Sequence, residues 1–236
     1  MPFETAPTYI FDLHCDTLDR LALHKSFPDA GFMEQDAAIP DARMSSLASN
    51  DCHIALDRMA KAQYAWCQCF AAFIPDHMPA DWGWQVFCAV RDFFQSQLAE
   101  HAALIEQVHD ARDIRGIVDS GKCAGMFTVE GGSFIEGSLD RLHAAADSGV
   151  KMFTLTWNGK NAIASGNVTT DGLSTFGAQV VRAMEQRRMV VDVSHLNDTS
   201  FWDVVKASSR PFAASHSNSR AVCGHPRNLT DDQLRA

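Results

Sequence analysis

The sequence lacks several features that define whole classes of protein. It has no run of Lys and Arg, and its 20 basic residues are outnumbered by 29 acidic ones, a net charge of −9. A surface of that sign repels phosphate backbones and anionic headgroups, so neither nucleic acid nor a membrane is expected as a partner. No apolar stretch is long enough to span a bilayer, and Met1 to Pro7 form neither a basic n-region nor an apolar h-region. A cytoplasmic chain is the expectation. The seven cysteines include no Cys-x-x-Cys pair. An odd number scattered through apolar segments points to reduced, mostly buried thiols. Cys67 and Cys69 read as strand packing, because alternate residues share a strand face. Short-period repeats and low-complexity tracts are absent as well.

What is present is a core and a set of metal-binding residue types. With 236 residues, 46% of them hydrophobic, the chain can bury a full core and is expected to form one domain over 1–236. Four apolar, strand-like runs each lead into potential ligands. The run 9–11 leads into His14-Cys15-Asp16, 125–129 ends in Glu130, 190–194 ends in His195, and 212–215 ends in His216. In a barrel of parallel strands the carboxyl ends converge on one mouth, so ligands distant in sequence meet there. Imidazole and carboxylate suit zinc or a similar divalent ion.

Between these runs the pattern alternates. After the first strand comes an irregular stretch, 25–50, rich in Ala, Asp, Pro and Ser, expected as a long loop with one short helix. A second strand fits 66–74, and apolar residues at helical spacing predict a helix over 84–109, followed by another over 112–120. Strand 123–129, helix 139–148, strand 151–156, helix 175–188, strand 189–193, helix 199–207 and strand 211–214 follow, with Asp198 as the expected N-cap of the last helix. Short connections between repeated strand-helix units favour a parallel sheet covered by helices. The fold class is therefore α/β, of the (β/α)8 TIM-barrel type. Six strands are counted where a closed barrel needs eight. Residues 230–236 look like the start of a further helix, so a chain truncated at its C-terminal end is expected.

In ordered succession the segments 12–18, 129–132, 155–156, 191–195, 215–217 and 227–228 resemble the membrane (renal) dipeptidase family of binuclear zinc peptidases, in its bacterial form. The resemblance implies zinc-dependent hydrolysis of dipeptides by a metal-bridging hydroxide. It also implies roles: His14 and Asp16 on the first of two Zn2+ or similar ions, His195 and His216 on the second, and Glu130 bridging both. The i, i+2 spacing of His14 and Asp16 suits a shared ion, with Cys15 facing away. Arg227 matches the position that binds the substrate's terminal carboxylate, which a guanidinium meets with two parallel hydrogen bonds. Trp157 stands where mammalian members have a histidine that contacts substrate, and indole neither accepts a hydrogen bond nor carries that charge. The family's acid/base aspartate would lie beyond Ala236, which leaves the catalytic proton carrier unassigned. A metal-dependent amidohydrolase acting on a cyclic amide or lactam, and a non-catalytic remnant, are the competing readings. A homodimer is an admissible assembly.

Taken singly, a strand-end histidine is more often a hydrogen-bonded core or surface residue than a ligand. His24, His53, His77, His101, His109, His143 and His225 are accordingly assigned to surface or helix faces. Trp82, Trp84 and the Phe93-Phe94 pair read as helix packing. Asp192, a carboxylate inside an apolar strand, runs against burial preference and is a candidate to orient His195 or another ligand.

Overall fold

The computed structural model describes residues 9–27, 44–62 and 65–236. It divides into two compact units, Met1–Ala71 with Ala89–Phe127, and Ala72–Cys88 with Thr128–Ala236. Residues 1–7 and most of the stretch expected as a long loop, 28–43, lie outside the described residues.

In the first unit β1 (Tyr9–Asp12) runs parallel to β2 (Ala65–Phe73), with Tyr9 opposite Ala65 and Asp12 opposite Gln68. β3 (Ile105–Gln107) runs parallel to the start of β4 (Cys123–Glu130), with Ile105 opposite Cys123. All eight residues of β4 are buried, which explains why it reads as a continuous apolar run rather than an alternating one. The helices α1 (Thr17–Ser26), α2 (Leu56–Lys61), the second half of α3 (Ala80–Glu100) and α4 (Ala111–Asp119) complete this unit. Phe94 of α3 packs between Phe70 and Phe127, at ring-centroid distances of 5.9 and 5.2 Å. α4 starts on a reciprocal cap between Asp110 and Asp113, and ends at Gly121, whose φ of 84° suits the left-handed turn.

The second unit holds the ends of β2 and β4, then α5 (Leu139–Asp147), β5 (Val150–Thr154), α6 (Thr175–Gln186), β6 (Val190–Asp192), α7 (Asp198–Ala207) and α8 (Asp231–Arg235). β5 and β6 are parallel, with Thr154 opposite Asp192. Trp84, Phe87 and Phe134 stack on one another and Phe153 of β5 meets Phe134 at a tilt, as helix packing predicts for Trp84. Hydrogen-bonded neighbours give the strand order β1-β2-β4-β5-β6, with β3 alongside β4. This is an α/β fold of parallel strands.

Three expectations need correction. The helix predicted over 84–109 stops at Glu100, and Ile105, one of its last apolar residues, opens β3. A turn at residues 101–104, closed by Leu104 N–H donating to the His101 carbonyl at 2.8 Å, ends the helix. Leu104, Ile105 and Val108 satisfied helical spacing, but so short an apolar segment fits either period. The strand predicted over 211–214 reduces to one parallel bridge between Asp192 and Ala213. Pro211 offers no N–H, and the Ser215 N–H is taken at 3.0 Å by the Asp192 side chain instead of a strand carbonyl. Finally, Asn197, not Asp198, caps α7, with its Oδ1 accepting from Ser200 N–H at 2.8 Å. Asp198 is held by Arg220, 2.6 Å away, a partner distant in sequence.

Candidate metal centre

Three of the expected ligands come together in the second unit. Glu130 ends β4, and its carbonyl accepts from Ile74 N–H at 2.8 Å. The next residue, Gly131, has φ 93° and donates to the Thr154 carbonyl at 3.1 Å. A Cβ there would stand 2.1 Å from the Ile74 carbonyl oxygen, so only glycine lets the backbone turn and leave Glu130 facing inward. His195 follows β6 with φ 71°, a left-handed conformation uncommon for a residue with a side chain and typical of functional sites. His216 follows the Asp192–Ala213 bridge.

The ligand atoms of these residues are close. His195 Nε2 lies 2.7 Å from Glu130 Oε1, His216 Nε2 lies 3.4 Å from the same oxygen, and the two Nε2 atoms are 2.9 Å apart. The side chains of Glu130 and His195 are buried, at 6% and 8% exposure, so solvent does little to relieve their mutual field. Lone pairs brought this near repel one another unless a proton or a cation sits among them. Ligands about 2.0–2.2 Å from a tetrahedral ion lie roughly 3–3.6 Å from each other, close to the spacing found. Two imidazoles and a carboxylate are a zinc-type donor set, so these residues fit a divalent ion.

The opposite ring nitrogens are occupied. His195 Nδ1 is 3.0 Å from Asn158 Oδ1, which also accepts from Asn167 Nδ2 at 2.6 Å. His216 Nδ1 is 2.6 Å from Ser215 Oγ. Burial pushes the His195 pKa below the usual imidazole range, with the hydrogen bond and charge of Glu130 working the other way and Arg227 and His216 reinforcing the fall. A neutral imidazole is the form that binds metal. Arg227 donates through Nη1 to Ser217 Oγ at 3.0 Å. Desolvation lowers its pKa while the charges of Glu130 and Asp192 raise it. Trp157 packs edge-on against Phe73, with its ring 6.3 Å from that of His195.

The other two expected ligands are neighbours in the first unit. His14 Nε2 and Asp16 Oδ1 are 3.0 Å apart, the same-side approach that their spacing predicts. Asp12 Oδ1 accepts from the His14 N–H at 3.1 Å and steadies the turn. Cys15 between them is engaged elsewhere. Its Sγ lies 3.2 Å from Thr17 Oγ1, and burial pushes the thiol up to about 11.

Sequence reasoning did not assign Asn158, Ser215 or Asp76. Asp76 accepts from Thr156 Oγ1 at 2.8 Å, Trp157 N–H at 3.1 Å and Gly159 N–H at 2.7 Å, and so fixes the loop that carries Asn158. Asn158 stands beside Trp157 and Ser215 lies within the segment 215–217, which is the only local signal of their roles. Asp76 has none, being about 80 residues from the loop it holds.

A family model, membrane dipeptidase (peptidase family M19), matches residues 5–236. The chain belongs to the membrane dipeptidase family. An uncharacterized protein in the pqqA 5' region of Klebsiella pneumoniae is 31% identical over 166 residues, which make up 67% of this chain and 60% of that protein. The chain spans between 35% and 60% of the lengths of the first curated relatives it matches. Among solved structures, the dipeptidase AC, a metallo peptidase of family M19, superposes with TM-score 0.81 at 25% identity, over 97% of this chain and 69% of its own. A metallo peptidase from Rhodobacter sphaeroides, liganded with a phosphinate mimic of the dipeptide L-Ala-D-Ala, also gives TM-score 0.81, at 23% identity, over 97% of this chain and 70% of its own. The fold is thus the TIM-barrel-like one of M19 dipeptidases. Among the described residues no helix is long and apolar enough to cross a membrane.

Proposed function

We propose that this member of the M19 family serves metal-dependent hydrolysis of dipeptides. Glu130, His195 and His216 hold one divalent ion, and His14 and Asp16 serve a second; zinc suits both donor sets. The observation that carries this reading is the approach of Glu130 Oε1 and two histidine Nε2 atoms to within 2.7–3.4 Å, with both Nδ1 atoms engaged on the far side. When bound, the ions would polarise the scissile carbonyl and acidify a water enough to supply hydroxide near neutral pH.

The chain's own residues do the rest. Asn158 and Ser215 orient the two rings so that their Nε2 atoms face Glu130. Arg227 clamps the terminal carboxylate of the substrate, which limits substrates to short peptides. Trp157 offers an apolar wall with an N–H donor, and cannot replace a histidine as a charged or accepting contact.

Metal content and turnover test this together. Elemental analysis should find two divalent ions per chain, and the loaded protein should hydrolyse free dipeptides, with activity lost to a chelator and restored by zinc. Hydrolysis of cyclic amides but not dipeptides would move the reading to an amidohydrolase. Full metal loading without any amide hydrolysis would leave a non-catalytic remnant.

A further inference from the structure

Asp192 is a carboxylate with no exposed surface, at the end of β6. It accepts four hydrogen bonds. Oδ1 takes the N–H groups of Ser194 and Ser215, each at 3.0 Å, and Oδ2 takes the hydroxyls of Thr154 and Ser215, each at 2.6 Å. A carboxylate has about four lone-pair sites and no proton to give, so every one of these groups must be the donor. The hydroxyl proton of Ser215 is thereby committed to Asp192.

That commitment decides where the proton of His216 lies. Ser215 Oγ is 2.6 Å from His216 Nδ1 and 3.3 Å from Ser194 Oγ. With its only proton spent, Ser215 can only accept from both. His216 must therefore carry its proton on Nδ1, which leaves the Nε2 lone pair directed at Glu130 and His195. The Ser194 hydroxyl also receives the His216 N–H at 3.1 Å, so backbone and ring are held by the same group of atoms. His195 differs. Its Nδ1 partner is the neutral amide of Asn158, which can offer oxygen or nitrogen, whereas a carboxylate offers acceptors on both sides.

We infer that Asp192 is a positioning residue that sets the tautomer of His216 through the Ser215 hydroxyl, and so keeps His216 Nε2 available to a metal ion. The inference rests on the metal-centre reading above, and extends it to a residue that does not touch the metal. Asp192→Asn separates this role from mere scaffolding. The amide oxygen can still accept from both N–H groups, but the amide nitrogen now donates to Ser215 Oγ. The Ser215 proton then turns to His216 Nδ1, which forces the ring proton onto Nε2 and blocks coordination.

The test is 15N NMR of histidine rings in the metal-free protein at about pH 8, above the imidazole range, paired with zinc affinity from chelator competition. The wild type should show a protonated Nδ1 at His216. Asp192→Asn should move that proton to Nε2 and weaken zinc binding about 10- to 100-fold. Ser215→Ala should abolish the preference, and Ser215→Thr, which restores a hydroxyl, should recover it. An unchanged tautomer in Asp192→Asn or, if that variant does not fold, in Ser215→Ala would overturn the inference. Because the NMR readout needs no metal, the predicted tautomer shifts in a protein that binds no zinc would overturn the metal-centre reading and leave the relay standing.

Discussion

The two units bring their candidate ligands together in different ways. His14 and Asp16 are two residues apart on one turn, and their 3.0 Å approach follows from local geometry alone. Glu130, His195 and His216 are separated by 65 and 21 residues along the chain. They meet only because β4, β6 and the bridge at Ala213 end together, and because Gly131, Asn158, Asp192 and Ser215 aim what those ends carry. A ligand pair made by spacing survives small shifts of the fold. One made by the ends of separate strands depends on every tie that fixes those ends, since displacement of about 1 Å is enough to spoil a preorganised site.

Removing one ligand from each unit gives the largest expected effect and the clearest test of that contrast. His195→Ala should lose the ion held in the second unit and reduce turnover on the order of 10³-fold or more, as when a preorganised charge-stabilising group is deleted. Asp16→Asn should likewise drop from two ions to one, but retain the other ion. Cobalt substitution reads this directly, because absorption spectra of the two variants should differ if different ions remain. Two ions retained in His195→Ala with normal turnover would remove that residue from the centre.

This contrast also marks what was legible in the sequence. β4 and its terminal Glu130 were readable because a strand buried throughout is a continuous apolar run with a turn signal after it. The closeness of His14 and Asp16 is readable because residues two apart can meet locally. The run 211–214 reads as a strand because its apolar residues fit one, while Pro211 and the Asp192 side chain prevent a ladder from forming. β3 was absorbed into a helix because three residues carry no period of their own. In the sequence Asp192 stands out only as an anomaly of burial. Its hydrogen bonds reach Thr154 on β5 and Ser215 beyond the bridge, and its link is to His216 through Ser215, not directly to His195. Polar networks of this kind are fixed by tertiary placement, and no spacing rule encodes them.

A smaller effect is expected at Arg227, which under the proposed function serves the substrate and not the metal. In Arg227→Lys a point charge replaces a planar fork, so KM for free dipeptides should rise roughly ten- to a hundredfold, the range of one charge-assisted hydrogen bond. Dipeptide amides, which have no terminal carboxylate, should be affected much less, and the metal content should not change. Equal losses on acid and amide substrates would show that Arg227 binds something else.

The smallest expected effect is on stability in the absence of metal, and it probes the second unit alone. Burial holds the His195 pKa below that of an unfolded histidine, about 6.5. On acidification the unfolded chain therefore takes up a proton before the native one does, and stability falls. The contribution is fully present above about pH 6.5, and is lost as the pH drops through that value towards the lower native pKa, with a slope of at most about 1.4 kcal/mol per pH unit for one proton. Burial raises the Glu185 pKa, but hydrogen bonds from Ser209 and Arg210 bring it below 4.5, and Arg220 brings Asp198 below 3.8, so their losses begin at more acidic pH. The interval from about pH 7 to 5 is thus largely free of these two groups. Thermal unfolding of the metal-free protein should show Tm declining across that interval, while His195→Gln, which cannot titrate, should give a flatter profile. Equal slopes in the two proteins would mean that His195 is not buried as a neutral ring, and that the second unit does not hold its ligands ready before metal arrives.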